Sequence, residues 1–341
     1  MAAPASWIAT RPDVSLDVAA GTLARWWGIR GHLSELPSER DRNILVRPND
    51  GASAVVLKIA NLAEDPAFLD CQTAAMDRLA RADVPVASVV PTLGGRSLAG
   101  IGADGPPWAR VLTWLPGRPM ATLDDPTDAL LVDLGATMGR SATALLGFDH
   151  PAAWRDFQWD VQRAHVVIER ALHEVTDDER RGLLRRVLDG LEARLLPAMP
   201  NLRRSVIHND ANDHNILVDD DGGRVMGLLD FGDMVASVTA HEAAVATTYA
   251  MFHRTDPATA IGPIVGAFDR ACPLTDAESA ALPDLILARL GASVAIAAHQ
   301  GRLDPDPYLR ISEAPAWELL ARLETIGPAV LRDAVHAGIG R

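Results

Sequence analysis

Apolar residues recur along the chain with two different periods, and the change falls near residue 115. From about 14 to 28, VSLDVAAGTLARWWG carries apolar positions at helical spacing, starts through Ser15 and Asp17 and closes at Gly28, the start and stop signals of an amphipathic helix. NILVRP and SAVVLKIAN follow as β-branched runs separated by NDG, a hairpin signature. In the second run Val55, Leu57 and Ile59 share one strand face, and Val56 and Lys58 share the other, because successive side chains alternate. Lys58 therefore points out of a strand beside an apolar neighbour, an unusual place for an ammonium. DPAFLDCQTAAMDRLARAD returns to helical spacing through Phe68, Cys71, Ala75 and Leu79. VASVVP and WARVLTWL are two more short strands, and PGRP marks a break. Residues 1–115 thus form a small sheet with one main internal helix.

Beyond the break, helical patterns dominate, over roughly 127–146, 159–175, 177–196, 240–253, 257–271, 276–300 and 314–336. The exceptions are two short apolar runs, SVIH and RVMGLLDFG, with the turn-like VDDDGG between them; they are expected to form a small antiparallel insert in a helical lobe of residues 116–341. The pattern predicts an α+β protein of two parts.

Composition narrows the class. The 341 residues are 48% hydrophobic, enough to bury a large core in one large or two modest domains. Net charge is −13 and no Lys/Arg run occurs, which argues against a nucleic-acid partner and suits a cationic small molecule, although acidity also simply aids solubility. Cys71 and Cys272 stand alone in apolar helical surroundings and are expected as reduced core residues. MAAPASWIATRPDVS lacks the basic and apolar regions of a signal peptide. No apolar run is expected to reach bilayer-spanning length. Cytoplasm is the default compartment.

The chemistry concentrates at the ends of the two apolar runs, in VIHNDANDHNIL and GLLDFGDMV. His208, Asp210 and Asn215 satisfy H-x-D-x-x-x-x-N, and Asp230, Phe231 and Gly232 satisfy D-F-G. With Lys58 ahead of them on a strand, their order and spacing resemble the protein-kinase-like fold, with a small antiparallel-sheet N-lobe and a larger, mainly helical C-lobe. More narrowly, the chain resembles the aminoglycoside phosphotransferase and choline kinase superfamily. It is similar there to the hydroxylysine kinase group and to phosphotransferase domains fused to class III aminotransferases, through ELPSERDRNILV, RVLTWLPGRPM, VIHNDANDHNILV, GLLDFGDMV and PYLRISEAPAWELLARL.

That resemblance implies a small-molecule kinase. Phosphoryl transfer is mostly positioning and charge neutralisation, and Mg²⁺ accepts oxygen ligands of which proteins supply only a few. Asp230 and the amide oxygen of Asn215 would hold Mg²⁺, Asp210 would align the acceptor hydroxyl and take its proton late, and His208 would be a scaffold residue of the loop. Lys58 would pair the α/β-phosphates of ATP or GTP; a snorkelling edge-strand lysine is its other reading. The carboxylate partner of Lys58 is expected at Asp70, with Gln72 or Glu64 as other participants. The glycine-rich nucleotide loop of protein kinases is replaced by LPSERDRN, where Ser38 and Arg40 or the backbone would meet phosphate. The backbone of Thr113, Trp114 and Leu115 is expected to read the base.

For the acceptor, Asp233 and Glu242 are expected to face a cationic substrate, Glu242 equally as a favourable charge at a helix N-terminus. Trp159 and Asp160 would clamp an ammonium, or Trp159 would be plain core. Arg289, one turn from Ser293, would grip a substrate carboxylate or pair with a structural acid. The expectation is transfer from ATP or GTP to a hydroxylated amino acid or amino alcohol, without nucleic acid or membrane, by a monomer or homodimer. An antibiotic O-phosphotransferase is the alternative within the class. A non-catalytic nucleotide-binding module would be expected to lack Lys58, Asp210, Asn215 or Asp230, and all four are present. A metal-dependent hydrolase using Asp210, Asp213 and Asp230 leaves Lys58 unexplained.

Overall fold

A computed structural model describes residues 11–38, 40–101, 105–303 and 312–340. The first ten residues, Glu39 of the expected nucleotide loop and residues 307–311 of the PYLRISEAPAWELLARL stretch lie outside the described residues. The chain divides into two compact units, one comprising the described residues up to Ala80 together with Val86–Leu115, the other Arg81–Pro85 with residues from Pro116 onward.

The first unit opens with α1 (Leu16–Trp26), capped by the Ser15 side chain on the Val18 amide. Strands β1 (Gly31–Leu36), β2 (Arg42–Pro48) and β3 (Val55–Ile59) precede α2 (Pro66–Ala80), and β4 (Val89–Val90), β5 (Ala99–Gly100) and β6 (Trp108–Thr113) complete the unit. The sheet runs β1-β2-β3-β6-β4, with β5 also on β6, and all pairs are antiparallel. β1 was not expected from the sequence. Its GHLSEL mixes half-buried and exposed positions without strict alternation, so this edge strand leaves no strong apolar signal. One sheet face buries Ile44, Val46, Leu57, Ile59 and Val111 against Leu23 of α1 and Trp27 just after it. The indoles of Trp26 and Trp27 donate to the Gly100 and Val90 carbonyls and fix α1 there.

In the second unit, β7 (Arg118–Pro119) leads into α3 (Asp128–Leu145), α4 (Ala164–Ala171) and α5 (Asp178–Gly190), which continues through a π-helical turn, Leu191–Leu195, into a short α6 (Leu196–Ala198). Then come β8 (Arg204–Ile207), β9 (Ile216–Val218), β10 (Val225–Leu228) and β11 (Val235–Val238). The helices α7 (His241–Ala250), α8 (Ile261–Ala271), α9 (Asp276–Leu303), α10 (Glu313–Ile326) and α11 (Pro328–Ile339) follow. α3 crosses α8 at glycines, where a Cβ on Gly135 would lie 2.1 Å from the Ile264 carbonyl oxygen.

Three sequence expectations change here. SVIH and RVMGLL are not partners: β8 pairs with β11, while β10 pairs with β9 across the 219–224 turn. The apolar run just after Asn215 forms the partner strand, β9. The helix expected over 314–336 is broken at Gly327, whose φ of 85° lies in the left-handed region that favours glycine. Finally, Asp276–Gly301 is long and apolar enough to cross a bilayer by length and composition, contrary to expectation, yet 89% of its apolar window is buried inside the protein. α9 is the central core helix of the second unit.

Candidate active site

Two paired strand ends assemble the catalytic loops. Because β9 and β10 are antiparallel with Ile216 opposite Leu228, Asn215 at the start of one lies beside Leu229 at the end of the other, and the Leu229 amide donates to the Asn215 carbonyl at 2.8 Å. Asp230 is the next residue. β8 delivers His208, Asn209 and Asp210 to the same place, and the His208 ring bonds the Leu229 carbonyl through Nε2 at 2.9 Å. Its Nδ1 accepts the Asp210 amide proton at 3.2 Å, so the ring is the neutral Nε2–H tautomer. Burial holds it down, to about 4. Edge-on packing against Phe231, 4.7 Å between ring centres, completes the seat. His208 is the scaffold residue the resemblance implied.

Asp210 is pinned on both oxygens. Oδ1 accepts from Arg289 Nη2 at 2.8 Å and Asn212 Nδ2 at 3.0 Å, and Oδ2 accepts from Asn215 Nδ2 at 2.7 Å. Burial, and after it the carboxylate of Asp233, pushes Asp210 above the usual carboxylate range, against the pull of Arg289 and Asn212.

Backbone strain marks both loops. Asn209 and Asp230 have φ of 68° and 55°, the left-handed region that Asn and Asp tolerate better than other non-glycine residues. Asn209 is held there by its amide, which donates to the carbonyls of Trp159 and Asp233, each at 3.2 Å. Asp230 accepts the Gly232 amide proton on Oδ1 at 3.0 Å.

Several residues expected at the acceptor build the loops instead. Glu242, in the first turn of α7, is fully buried and accepts the backbone N–H of His208. Burial pushes it up to about 7, opposed by the backbone amides of His208 and Asn209. Asp160 caps the 3-10 turn Val161–Arg163 and also accepts from Gln162 Nε2 and Ser237 Oγ, so its carboxylate is occupied locally. Arg289 is only 3% exposed; besides Asp210 it donates to Tyr249 Oη at 3.1 Å and the Asn209 carbonyl at 3.3 Å. Its guanidinium lies 4.4 Å from the Trp159 ring centre and 5.3 Å from that of Tyr249, so the aromatic expected to clamp a substrate ammonium holds a protein cation. Asp233 is buried next to Asp210 and acts on it through its charge.

Two contributors were not foreseen. Arg155 donates to the carbonyls of Gly232 at 2.6 Å and Met234 at 3.0 Å, fixing the loop after Asp230, and Tyr249 steadies Arg289. Both come from distant segments, and only an arginine among the aromatic and acidic residues of WRDFQWD hinted at the first.

In the first unit, Lys58 is 8% exposed. Asp41 of the β1–β2 turn approaches its Nζ at 3.8 Å. Asp70 is exposed on α2 and is not the partner. The helix presents Gln72 to the sheet, two residues and some 200° further round, and Gln72 Oε1 accepts from Arg110. Ser38 and Arg40 lie half-buried in the β1–β2 turn. The amides of Thr113 and Trp114 donate to the Ser88 and Ala54 carbonyls, which commits two of the N–H groups of the backbone segment expected to read a base.

The donor set fits a hard cation. Asn215 commits its Nδ2 to the carbonyl and carboxylate of Asp210, which leaves Oδ1 as its ligand atom, and Asp230 adds carboxylate oxygen one residue beyond the backbone bond that joins the two loops. Among the described residues no group of three or more His, Cys, Asp or Glu could hold a metal ion, so the three-carboxylate centre of the hydrolase reading is not formed.

The model of the phosphotransferase enzyme family matches residues 32–281. Hydroxylysine kinase of Danio rerio is 28% identical over 336 residues, covering 93% of this chain and 94% of its own. Among solved structures, a microcompartment-associated aminopropanol kinase superposes with a TM-score of 0.69 at 18% identity, covering 92% of this chain and 98% of its own. Amicoumacin kinase in complex with AMP-PNP, Ca²⁺ and Ami superposes with a TM-score of 0.68 at 16% identity, covering 91% and 94%. The architecture is the protein-kinase-like fold. The chain belongs to the phosphotransferase enzyme family and is an enzyme that phosphorylates a hydroxyl group of a small molecule.

Proposed function

We propose that the enzyme transfers the γ-phosphoryl group of ATP or GTP to a hydroxyl of a hydroxylated amino acid or amino alcohol. The observation that carries this reading is the fixed orientation of Asp210, held on Oδ1 by Arg289 and Asn212 and on Oδ2 by Asn215. Orientation of that kind aligns an acceptor oxygen for in-line attack. As the new O–P bond forms and the bond to the leaving nucleoside diphosphate breaks, the hydroxyl proton passes to the Asp210 carboxylate. Asn215 Oδ1 and Asp230 would hold Mg²⁺, which spreads the charge of the transferring group.

A hollow of about 420 Å³ beside the catalytic loop supports the acceptor class. Asp213 and His214 of the loop line it together with Phe252 and with Glu318 and Arg322 of α10. Two carboxylates and a guanidinium around the hollow match a molecule bearing both an ammonium and a carboxylate. The similarity to hydroxylysine kinase over nearly the whole chain points the same way.

The test is nucleoside diphosphate release by purified protein with Mg²⁺ and either ATP or GTP, against 5-hydroxylysine, homoserine, ethanolamine, choline and several aminoglycosides. Release that depends on a hydroxylated amino acid or amino alcohol supports the proposal. Release with aminoglycosides alone would replace it with antibiotic phosphorylation, and acceptor-independent release would make the enzyme a nucleotidase.

A further inference from the structure

From Asp230 to the start of β11 at Val235 the chain has no sheet ladder, so its backbone carbonyls must be met from elsewhere. Side chains from two other segments meet three of them in succession. Arg155 donates to Gly232 through Nη2 and to Met234 through Nε, and Asn209 Nδ2 donates to Asp233 between them at 3.2 Å. The same amide reaches the Trp159 carbonyl. The irregular stretch 155–159 and the loop 232–234 are thereby fastened to each other and to the residue before Asp210. Further along, Gln162 Nε2 donates to the Ala236 carbonyl at 3.5 Å, and Asp160 accepts from Ser237 Oγ.

Gly232 is where this clasp meets the chemistry. Its carbonyl is held by Arg155, and its N–H donates to Asp230 Oδ1 at 3.0 Å. Asp230 has a φ of 55°, a conformation that a non-glycine residue keeps only where its surroundings over-determine it. The direction of its carboxylate follows the Gly232 amide, and the place of Gly232 follows Arg155. An arginine suits the task, because its planar fork meets two carbonyls in fixed geometry where an ammonium is only a point charge. The guanidinium also lies 4.0 Å from the Phe157 ring centre, which orients the fork.

We propose that Arg155, together with Asn209, is a positioning residue for the metal carboxylate: it fixes Asp230 through Gly232 and sets how tightly the enzyme holds the divalent cation that accompanies its nucleotide. This rests on the reading of Asp230 and Asn215 as cation ligands. The sign of the effect separates positioning from charge. A guanidinium in this loop repels a cation, so by charge alone its removal would strengthen Mg²⁺ binding. By positioning, its removal weakens Mg²⁺ binding, as loss of the outer hydrogen bonds that orient a ligand does.

The experiment is calorimetric titration of the full-length protein with ADP and GDP across a series of Mg²⁺ concentrations. The proteins are wild type, Arg155→Met, Arg155→Lys, Asn209→Gly and Asp230→Ala, each checked by circular dichroism to be folded at the temperature used. Asn209→Gly removes the amide without strain, because glycine accepts the φ of 68° at that position. Arg155→Met should raise the Mg²⁺ concentration that half-enhances nucleotide affinity by about tenfold or more, with metal-free affinity within about twofold of wild type. Arg155→Lys and Asn209→Gly should move it in the same direction by less, and they decide if Arg155→Met does not fold. A Mg²⁺ response unchanged or stronger in the folded Arg155 variants, but lost in Asp230→Ala, would overturn the positioning role and leave the cation site standing. Equal losses of nucleotide affinity with and without Mg²⁺ would also overturn it, by making the clasp purely structural. A Mg²⁺ response retained in Asp230→Ala would overturn both readings.

Discussion

Glu242 gives a quantitative handle on the catalytic loop. Its carboxyl group is completely buried and receives the backbone N–H of His208, and burial raises it from an ordinary 4.5 to about 7. Between those two values the folded protein keeps a proton that the unfolded chain has released. The folded state therefore binds more protons, and stability must fall as pH rises through this window. A shift of that size corresponds to about 3 kcal/mol in total, most of which is lost between pH values of about 5 and about 8. Glu242→Gln keeps an oxygen to accept the His208 amide and cannot ionise. Urea unfolding of both proteins at the two pH values should show the variant gaining roughly 2–3 kcal/mol on wild type as pH rises, the contributions of all other groups cancelling in the difference. A stability difference independent of pH would mean that Glu242 is ionised throughout, and the account of how the loop is held would be wrong.

Three further outcomes are expected. Asp210→Asn should lower kcat by at least about a hundredfold while nucleotide affinity stays within about twofold, measured by steady-state kinetics and titration, because alignment and proton acceptance are lost but no phosphate contact is. Asp230→Ala should remove the Mg²⁺ dependence of nucleotide binding, and a Kd that still responds to Mg²⁺ would place the cation elsewhere. Gly135→Ala should destabilise the second unit by about 1–3 kcal/mol in thermal or urea unfolding, since the new Cβ would sit 2.1 Å from the Ile264 carbonyl oxygen and α3 must move away from α8.

Much of this molecule was readable without coordinates. The β2–β3 hairpin, α1, α2 and most helices of the second unit announce themselves by local period and caps, because burial on one face imposes the period. The catalytic loop was legible for a different reason. Asp210, Asn215 and Asp230 are fixed at the ends of adjacent strands, so their spacing along the chain is constrained by the same β9–β10 pairing that brings them together. β1 escaped because a half-buried edge strand without strict alternation has little apolar signal, and the break at Gly327 because one left-handed residue interrupts an otherwise continuous helical pattern.

The sequence by itself determined which groups are chemically available: an aspartate to take a proton, an amide and a carboxylate for a cation, a lysine on a strand. Only the tertiary structure decided who partners whom. Lys58 meets Asp41 of a turn, because the phase of α2 turns Gln72 rather than Asp70 toward the sheet. Arg289 lies on Asp210, beside Trp159 and Tyr249, because four segments far apart in sequence converge there. Propensity and period are local quantities, fixed by neighbours within a few residues. The pairing of buried charges depends on cross-strand register, helix phase and the approach of remote elements, and these are set only when the whole core packs.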